Sequence, residues 1–342
     1  MLQRMTTCAS TLVMNNNEPQ IRRTNAVVLS IITPAYNEAE NLPSLYERLV
    51  KVMDGLAVSW EWVIVDDHSH DQTFKVIQAL ADSDLRIRGI RFSRNFGSHI
   101  AMIAGMELSQ GSASVIMASD LQDPPEVIPN LLDKWSEGNA VVYAVRENRE
   151  GHKGSAALFS RFYYFLMREI IGFKEMPATG ADFFLLDRKV MNELVQLKEI
   201  NLSILPLITW MGFTQASVAY TKQARQRGRS GWNFAKKLKV VIDSVTAFSY
   251  LPVRIMSATG FLVALLGFVY SGVVIYSAFT GTPPQGWASL MVVVAVLGGV
   301  QMMMIGVLGE YVWRALDESR RRPRYIIEAC CGTMPRSSER IG

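Results

Sequence analysis

Between Val27 and about Leu197, short apolar runs alternate with stretches in which apolar residues recur every three or four positions. The runs have the length and composition of strands, and the stretches have the spacing of helices buried on one face. The predicted strands are Val27–Ile32, Glu61–Val65, Ile87–Phe92, Ser114–Met117, Ala140–Ala144 and Phe183–Leu186. The predicted helices include Ala39–Met53, Gln72–Ala81, Ser98–Ser109 and Pro125–Ser136. This order predicts an α/β fold with a mostly parallel sheet.

Two segments nearer the C-terminus, Ser257–Phe279 and Trp287–Gly309, contain no charged residue. Each would form a helix of about 34 Å, which is long enough to cross the core of a bilayer. They predict two transmembrane helices, and the alternative is a pair of buried core helices.

Basic residues flank these two segments, whereas the connection between them, Thr280–Gly286, has no Lys or Arg. Those before the first segment are Lys236, Lys237, Lys239 and Arg254, and those after the second are Arg314, Arg320, Arg321, Arg322 and Arg324. The positive-inside rule then predicts a multi-pass protein of the cell (inner) membrane, with the N-terminal domain and both termini in the cytoplasm.

The remaining composition adds little to this prediction. The chain has 342 residues, a hydrophobic share of 49% and a net charge of +4. Cys8, Cys330 and Cys331 have no metal-binding spacing and no disulfide pattern, which fits a reducing compartment. Residues 1–25 are polar and lack the apolar run of a secretory signal, so they are predicted to be a disordered extension.

Two further helices are predicted in regions rich in aromatic or basic residues. Trp232–Tyr250 is amphipathic with lysines flanking its apolar face, which favours a position in the membrane interface over packing on the sheet. For the aromatic helix Ser155–Ile171 both positions stay open. The predicted division is residues 1–25, an α/β domain at 26–222, a basic loop and interfacial helix at 223–252, transmembrane helices at 253–311 and a basic tail at 312–342.

Three predicted strands are followed by turns that carry acidic side chains. These turns contain Tyr36 and Glu38 after Pro34, then Asp66 and Asp67, and then Asp120, Gln122 and Asp123. Because the carboxyl ends of parallel strands meet at one edge of a sheet, we expect a binding cleft there. Each turn has a purely structural alternative, such as Asn37 serving as a helix N-cap.

The residue types in these turns indicate their chemistry. Carboxylate and amide oxygens at Asp120 and Gln122 suit Mg²⁺ or Mn²⁺ rather than zinc. Adjacent carboxylates at Asp66 and Asp67 repel each other unless a donor such as a nucleobase N–H binds there. His68 and His70 have no matching third ligand, so a histidine metal site is disfavoured.

Two later segments complete the candidate site. Asp182 stands at the entrance of an apolar strand, where burial would raise its pKa toward that of a general base, and a plain turn is the alternative. Asp187 and Arg188 are predicted to begin a helix. Between Lys222 and Lys239 there are seven basic residues and no acidic one. This run suits phosphate or anionic lipid headgroups, and its position beside a membrane helix argues against nucleic acid.

Together these motifs resemble the family 2 glycosyltransferases with a GT-A fold, and among them bactoprenol glucosyltransferases and dolichol-phosphate mannose synthases. The matching pieces are Pro34-Ala35-Tyr36-Asn37-Glu38, the run Asp66 to Thr73, Arg94-Asn95-Phe96-Gly97, Asp120 to Glu126, Thr179 to Arg188, and Arg225, Gly228, Ser230 and Trp232. The resemblance runs from about Val27 to Arg324. The chain departs from the family at Ala118, where an Asp of the metal motif is usual, and at Phe184, where Arg is frequent.

The resemblance implies a role for each motif. A UDP-sugar would be held by Pro34, Tyr36, Glu38, Asp66, Asp67, Arg94 and Gly97. Mg²⁺ or Mn²⁺ would bind Asp120 with help from Gln122, and Asp182 would be the catalytic carboxylate together with Asp120. The acceptor phosphate and the donor diphosphate would meet Arg225, Arg229, Ser230 and Trp232.

The implied reaction is a single inverting transfer of a hexose to a polyprenyl phosphate such as undecaprenyl phosphate. Glucose is favoured, with mannose, galactose and an amino-arabinose derivative as alternatives. A processive polysaccharide synthase is disfavoured because two membrane spans are too few for a channel. An inactive nucleotide-binding scaffold is supported only by Ala118. Small residues such as Gly267, Gly298 and Gly299 favour association into a homo-oligomer such as a tetramer.

Overall fold

The computed structural model describes residues 28–333 except 57, 147–164, 171, 174–176, 178–181, 198–203, 224–248, 250, 281–285 and 321. The predicted extension at 1–25 lies outside the described residues, as do Arg225, Arg229, Ser230 and Trp232. Nearly all of the predicted helix Trp232–Tyr250 lies outside them as well. Of the predicted helix Ser155–Ile171, the described part includes a π-helical turn at Leu166–Ile170.

Eight strands form one sheet in the order β7-β5-β6-β4-β1-β2-β3-β8. The strands are β1 (Leu29–Ala35), β2 (Trp60–Asp66), β3 (Ile87–Phe92), β4 (Ala113–Ile116), β5 (Val141–Arg146), β6 (Phe184–Asp187), β7 (Gln215–Tyr220) and β8 (Ile327–Cys331). Strands β1 to β4 pair in parallel, and so do β5 and β7, whereas β6 and β8 run antiparallel to their neighbours. All six predicted strands are present. The sequence analysis did not predict β7 or β8.

Helices cover both faces of the sheet. They are α1 (Leu42–Met53), α2 (Thr73–Ser83), α3 (Ser98–Leu108), α4 (Ile128–Ser136), α5 (Arg188–Gln196) and α6 (Ile204–Trp210), with a 3₁₀ turn at Pro125–Val127 before α4. Alternate residues of β2 face opposite layers, so that Trp62 packs toward α1 and α2 while Val63 packs toward α3. Every residue of β2 is buried, as expected for a parallel strand covered on both faces. Asp187 accepts a hydrogen bond from Lys189 N and caps α5, which confirms the predicted helix start.

The register of the strands brings the predicted turns together. Ala35 at the end of β1 lies opposite Asp66 at the end of β2, and Ile32 lies opposite Ile116 at the end of β4. Strand β6 runs the other way, so its first residue, Phe184, pairs with Ile116. The chain therefore enters β6 from the same edge at which the three acidic turns end, and Asp182 lies at that edge.

Two long helices follow the sheet domain, α7 (Leu251–Phe279) and α8 (Trp287–Ser319). Each contains a window long and apolar enough to cross a membrane, and none of the residues in those windows is buried. The alternative of buried core helices is therefore wrong. The hydroxyl group of Tyr311 on α8 donates to the backbone oxygen of Ser249, 3.2 Å away, beside the start of α7.

The segment after α8 returns to the sheet. Strand β8 lies beside β3, and Gly332 ends it with a φ of 78°, where a Cβ atom would meet the backbone oxygen of Ile87. The predicted tail at 312–342 thus begins inside α8 and includes a strand of the eight-stranded sheet. The sequence analysis did not predict this pairing, because the partner strand lies far away in the sequence and β8 is only five residues long.

Candidate active site

Each of the three acidic turns contains one non-glycine residue in the left-handed region. These residues are Asn37 with φ of 58°, His68 with φ of 61° and Leu121 with φ of 59°. Among the residues that the structure describes, no other non-glycine residue has a positive φ. Such conformations cost on the order of 1–3 kcal/mol each and cluster at functional sites. Backbone strain therefore marks the same edge as the acidic side chains.

The first turn presents an aromatic ring to solvent. Tyr36 is 43% exposed, and its ring meets the ring of His70 edge-on at a centroid distance of 6.2 Å. Glu38 is half-buried, and its carboxylate accepts a hydrogen bond from Asn41 Nδ2 at 2.5 Å. Asn37 is not an N-cap, because its Oδ1 accepts from His70 N at 2.9 Å and so joins the first turn to the second.

The second turn is built around two buried carboxylates. Asp66 Oδ1 accepts from Ser69 N at 2.9 Å, and Arg91 Nη1 lies 3.5 Å from Asp66 Oδ2. Asp67 accepts from the backbone N–H groups of Phe96 at 2.6 Å and Gly97 at 2.9 Å. Burial raises the pKa of Asp67 to about 6, although these two N–H groups act in the opposite direction. Both carboxylates thus hold backbone segments in place. The backbone N–H groups and Arg91 compensate the repulsion expected between the two negative charges.

The loop held by Asp67 carries two predicted donor-binding residues. Gly97 has a φ of 98°, a conformation that favours glycine, and precedes α3. Arg94 is exposed, and its guanidinium lies 3.9 Å from the centroid of the Phe96 ring. This loop places the Arg94 guanidinium on the surface, beside the first two acidic turns.

The third turn holds a deeply buried carboxylate next to the predicted metal ligand. Asp120 is 7% exposed, and its Oδ1 accepts from Gln122 N at 3.2 Å. Asp123 is fully buried and accepts from the hydroxyl group of Tyr220 at 2.5 Å, and Lys222 Nζ lies 3.6 Å from the same oxygen. Burial raises the pKa of Asp123, and Lys222 and Tyr220 partly offset this.

Asp182 lies close to this turn but is not buried. Its side chain is 67% exposed, and its Oδ2 lies 3.2 Å from Arg146 Nη2. The expectation that Asp182 would be buried among apolar groups is therefore wrong. Asp182 and Asp120 both lie near enough to Asp123 to raise its pKa further, so three carboxylates share one corner of the site.

Four residues of this corner were missed by sequence reasoning: Arg146, Tyr220, Lys222 and His99. Arg146 and Tyr220 are the last residues of β5 and β7, which end at the same edge as β4. The rule applied to the other strand ends would have found Arg146 after the predicted strand Ala140–Ala144. Tyr220 lies on a strand that was not predicted. Burial lowers the pKa of His99, and the nearby Asp182 acts in the opposite direction.

The basic segment begins at the third turn. Gln223 N donates to the backbone oxygen of Gln122 at 2.9 Å, and Gln223 Oε1 accepts from Arg48 Nη1 at 3.1 Å. Together with the Lys222–Asp123 ion pair, these contacts fix residues 222 and 223 beside the third turn. The predicted phosphate-binding residues from Arg225 onward follow directly in the sequence.

The described residues contain no group of three or more His, Cys, Asp and Glu side chains arranged to hold a metal ion. Asp120 with Gln122 offers one carboxylate and one amide oxygen. This donor set fits a Mg²⁺ or Mn²⁺ ion that is shared with a bound diphosphate, and it does not form a closed protein cage.

Comparisons with known proteins identify the family of this chain. The family model described as Glycosyl transferase family 2 matches residues 30–195, which include all three acidic turns and Asp182. An uncharacterized glycosyltransferase, YkcC, from Bacillus subtilis is 39% identical over 89% of this chain and 94% of its own length. The chain belongs to glycosyl transferase family 2. The predicted family and enzyme class are thus confirmed.

Other relatives of this family 2 glycosyltransferase carry more specific names. A bactoprenol glucosyl transferase from Shigella phage SfV is 35% identical over 88% of this chain and 98% of its own length. Among solved structures, mannosyl-3-phosphoglycerate synthase from Rubrobacter xylanophilus is 14% identical with a TM-score of 0.48, and covers 68% of this chain and 75% of that protein. The predicted α/β class with a mostly parallel sheet, followed by two apolar helices, agrees with the family and the observed topology.

Proposed function

We propose that this glycosyltransferase moves a hexose, with glucose favoured, from a UDP-sugar to a polyprenyl phosphate at the cytoplasmic face of the cell membrane. The observation that carries the proposal is the 35% identity to a bactoprenol glucosyl transferase over 88% of the chain. The geometry supports it, because the acidic turns and the start of the basic segment share one sheet edge. The exposed apolar helices α7 and α8 follow in the same chain.

The donor nucleoside is proposed to bind across the first two turns and the loop before α3. Tyr36 offers an exposed ring for stacking, Glu38 offers a carboxylate for the ribose, and Arg94 offers a cation at the rim. Asp66 and Asp67 support this site by holding the second turn and the loop through backbone N–H groups. Pro34 and Gly97 contribute through the backbone shape that they impose.

A divalent ion, Mg²⁺ or Mn²⁺, is proposed to bind Asp120 with Gln122 and the donor diphosphate. When bound, it offsets the charge that develops on the diphosphate leaving group. Asp123 is assigned to the turn and not to this donor set, because its Oδ1 is held by Tyr220 and Lys222 and the side chain is buried, with no hydrogen-bond partner for Oδ2 among the described residues. Its role is to hold the third turn, so that Asp120 faces the substrate.

The reaction is proposed to be a single inverting displacement. An oxygen of the polyprenyl phosphate forms a bond to the anomeric carbon as the bond from that carbon to the nucleoside diphosphate breaks. The products are a polyprenyl-phosphate sugar and a nucleoside diphosphate. A phosphate oxygen is already anionic, so no strong base is needed, and an exposed Asp182 paired with Arg146 suits positioning of the acceptor better than proton removal.

The acceptor phosphate is proposed to meet the basic segment, with Arg225, Arg229, Ser230 and Trp232 as its predicted ligands. Helices α7 and α8 would hold the enzyme in the membrane with both termini in the cytoplasm. The phosphate of the lipid acceptor would lie at the cytoplasmic leaflet, on the side of the catalytic domain. Association into a homo-oligomer through the small residues of these helices stays a prediction.

The experiment that tests this proposal uses the full chain in detergent or nanodiscs. A panel of nucleotide-sugars is incubated with undecaprenyl phosphate and Mg²⁺ or Mn²⁺, and the lipid product is identified by mass spectrometry. We expect a glucosylated lipid phosphate and release of UDP, both abolished by EDTA and by Asp120→Ala.

The matched control is Asp133→Asn, which changes an exposed carboxylate on α4 away from the sheet edge. It should leave product formation unchanged. Transfer of another hexose would correct the sugar and keep the reaction class. Absence of any lipid-linked product with the whole panel, for a folded enzyme, would overturn the proposed acceptor.

A further inference from the structure

The C-terminal strand β8 adds a side chain to the sheet edge that carries the first two acidic turns, which we call the donor edge. Strand β8 pairs with β3, and the register shifts between Arg91 and Phe92: Arg91 lies opposite Ala329, whereas Phe92 lies opposite Ile327. Glu328 is therefore the extra residue of a β-bulge. Bulges redirect a side chain and are frequent next to active sites.

The redirected Glu328 carboxylate contacts two residues of the donor edge. Its Oε2 lies 3.0 Å from Arg91 Nε and 3.5 Å from His68 Nδ1. His68 Nδ1 also lies 3.0 Å from the backbone oxygen of Phe92. His68 is the left-handed residue of the second turn, so a side chain from the end of the chain touches that turn at its strained position.

Arg91 extends the contact into the turn itself. Its Nη2 donates to the backbone oxygen of Ser69 at 3.1 Å, and its Nη1 lies 3.5 Å from Asp66 Oδ2. Asp66 is fully buried, and this oxygen has no hydrogen-bond partner among the described residues. A buried carboxylate needs a compensating charge, and Arg91 supplies it.

The segment that leads into β8 is firmly attached to the same side of the sheet. The ring of Tyr325 stacks on Phe92 with centroids 5.0 Å apart and planes at 27°. Tyr325 also donates from its hydroxyl group to Glu107 on α3, and Arg324 Nη1 lies 3.8 Å from the same Glu107 carboxylate. The position of Glu328 is therefore fixed by packing and does not depend on its own ion pair.

We propose that Glu328 and Arg91 are positioning residues for the donor nucleoside site. We call the arrangement of Glu328, Arg91 and their partners His68, Asp66 and Ser69 the C-terminal clasp. It holds the second turn in its strained conformation and so sets the affinity for the donor. Since β8 follows α8, the clasp also links the apolar helices to the donor edge. The identity of the donor rests on the function proposed above, whereas the attachment of the turn does not.

The first test is steady-state kinetics of Glu328→Gln in the full-length enzyme, with UDP-glucose and undecaprenyl phosphate as substrates. The ion pair is partly solvated, since the Glu328 and Arg91 side chains are 49% and 23% exposed. We therefore expect the KM for UDP-glucose to rise by about threefold to fivefold. The kcat and the KM for undecaprenyl phosphate should stay within about twofold of the wild type, because the clasp shares no residue with the proposed acceptor site or with the proposed metal ligands.

The matched control is Glu137→Gln. It makes the same chemical change in an exposed ion pair between Lys134, on α4, and Glu137, the residue that follows this helix. It should leave all three constants unchanged. A loss of melting temperature in Glu328→Gln with an equal rise of both KM values would show a general structural role and overturn the proposal.

The second test is hydrogen–deuterium exchange, which needs no substrate. The amides of Ser69 and His70 are bonded to Asp66 and Asn37. In Glu328→Gln they should exchange faster, while the amides of α1 exchange as in the wild type. Unchanged exchange would overturn the clasp whatever the donor proves to be. A wild type that is inactive with UDP-glucose would count against the proposed function alone.

Discussion

The hydroxyl group of Tyr220 donates a 2.5 Å hydrogen bond to Oδ1 of Asp123, and it thereby joins the end of β7 to the turn that carries the predicted metal ligand. Both side chains are buried. Burial, together with the neighbouring Asp123, raises the pKa of Tyr220 well above its usual value, so the phenol stays protonated and donates at any working pH. The bond connects positions that are 97 residues apart and fixes the third turn from behind.

Tyr220→Phe should destabilise the enzyme and lower turnover. The change leaves Asp123 buried with one partner fewer, which costs about 1–3 kcal/mol in the free energy of unfolding. A shifted third turn should also lower kcat by about tenfold or more, because reacting groups must be held to within about 1 Å. Thermal unfolding and steady-state kinetics measure the two effects.

The control for that variant is Tyr46→Phe, which removes a 3.0 Å hydrogen bond to Asp84 on the half-buried surface of α1. Its cost should be below about 1 kcal/mol, with unchanged turnover. Equal losses of activity in the two variants would contradict a specific role for the Tyr220–Asp123 bond.

Asp182→Asn should separate function from stability. The Asp182 side chain is 67% exposed and its partner is Arg146, so removing its charge should change the free energy of unfolding by less than about 0.5 kcal/mol. Turnover with polyprenyl phosphate should nevertheless fall by about tenfold to a hundredfold, because the acceptor is no longer held in line. Near-normal turnover would remove Asp182 from the reaction.

Asp67 should make stability depend on pH. Burial raises the pKa of Asp67 from 3.8 to about 6 in the folded enzyme, so between these values the folded state binds more protons than the unfolded state. Stability is then highest below the unfolded pKa and falls as the pH rises through the folded pKa, by up to about 3 kcal/mol.

The measurement is thermal unfolding of the wild type and of Asp67→Asn between pH 4 and pH 7. An amide at this position does not titrate, so the variant should lack the corresponding loss of stability. A parallel pH dependence in the two proteins would show that the titration belongs to another group.

The ion pair between Arg88 and Glu61 should matter for stability and not for the site. It is buried beneath the amino ends of the strands, where Glu61 also accepts from Ser30 Oγ and Gln110 N. Arg88→Met leaves the Glu61 carboxylate buried without its charge partner and should cost about 3–5 kcal/mol in the free energy of unfolding. Denaturant titration measures this cost.

The double variant Arg88→Met, Glu61→Leu should regain much of that stability, because the buried Glu61 carboxylate is removed together with its ion-pair partner. Turnover per folded molecule should be normal in both variants, since this pair lies at the edge opposite the acidic turns. A fall in kcat that persists in the double variant would contradict this separation.

The sequence by itself determined the layers and the two apolar helices. Hydrophobic periodicity is local, so β1 to β6 and α1 to α4 could be predicted from a few residues each. Pro34, Asp66 and Asp120 could be placed on neighbouring turns, because parallel strands that are connected through helices end at the same edge of the sheet.

Only the tertiary structure decided which of these side chains face a ligand and which hold the backbone. Asp67 looks like a ligand in the sequence, but it binds two backbone N–H groups. Asp123 was not among the predicted ligands, and the structure shows its Oδ1 held by Tyr220 and Lys222. Asp182 was expected to be buried and is exposed. The pairing of β8 with β3 and the bulge at Glu328 could not be predicted, because the partner strand lies far away in the chain. Burial and long-range pairing are properties of the packed chain, and no window of sequence contains them.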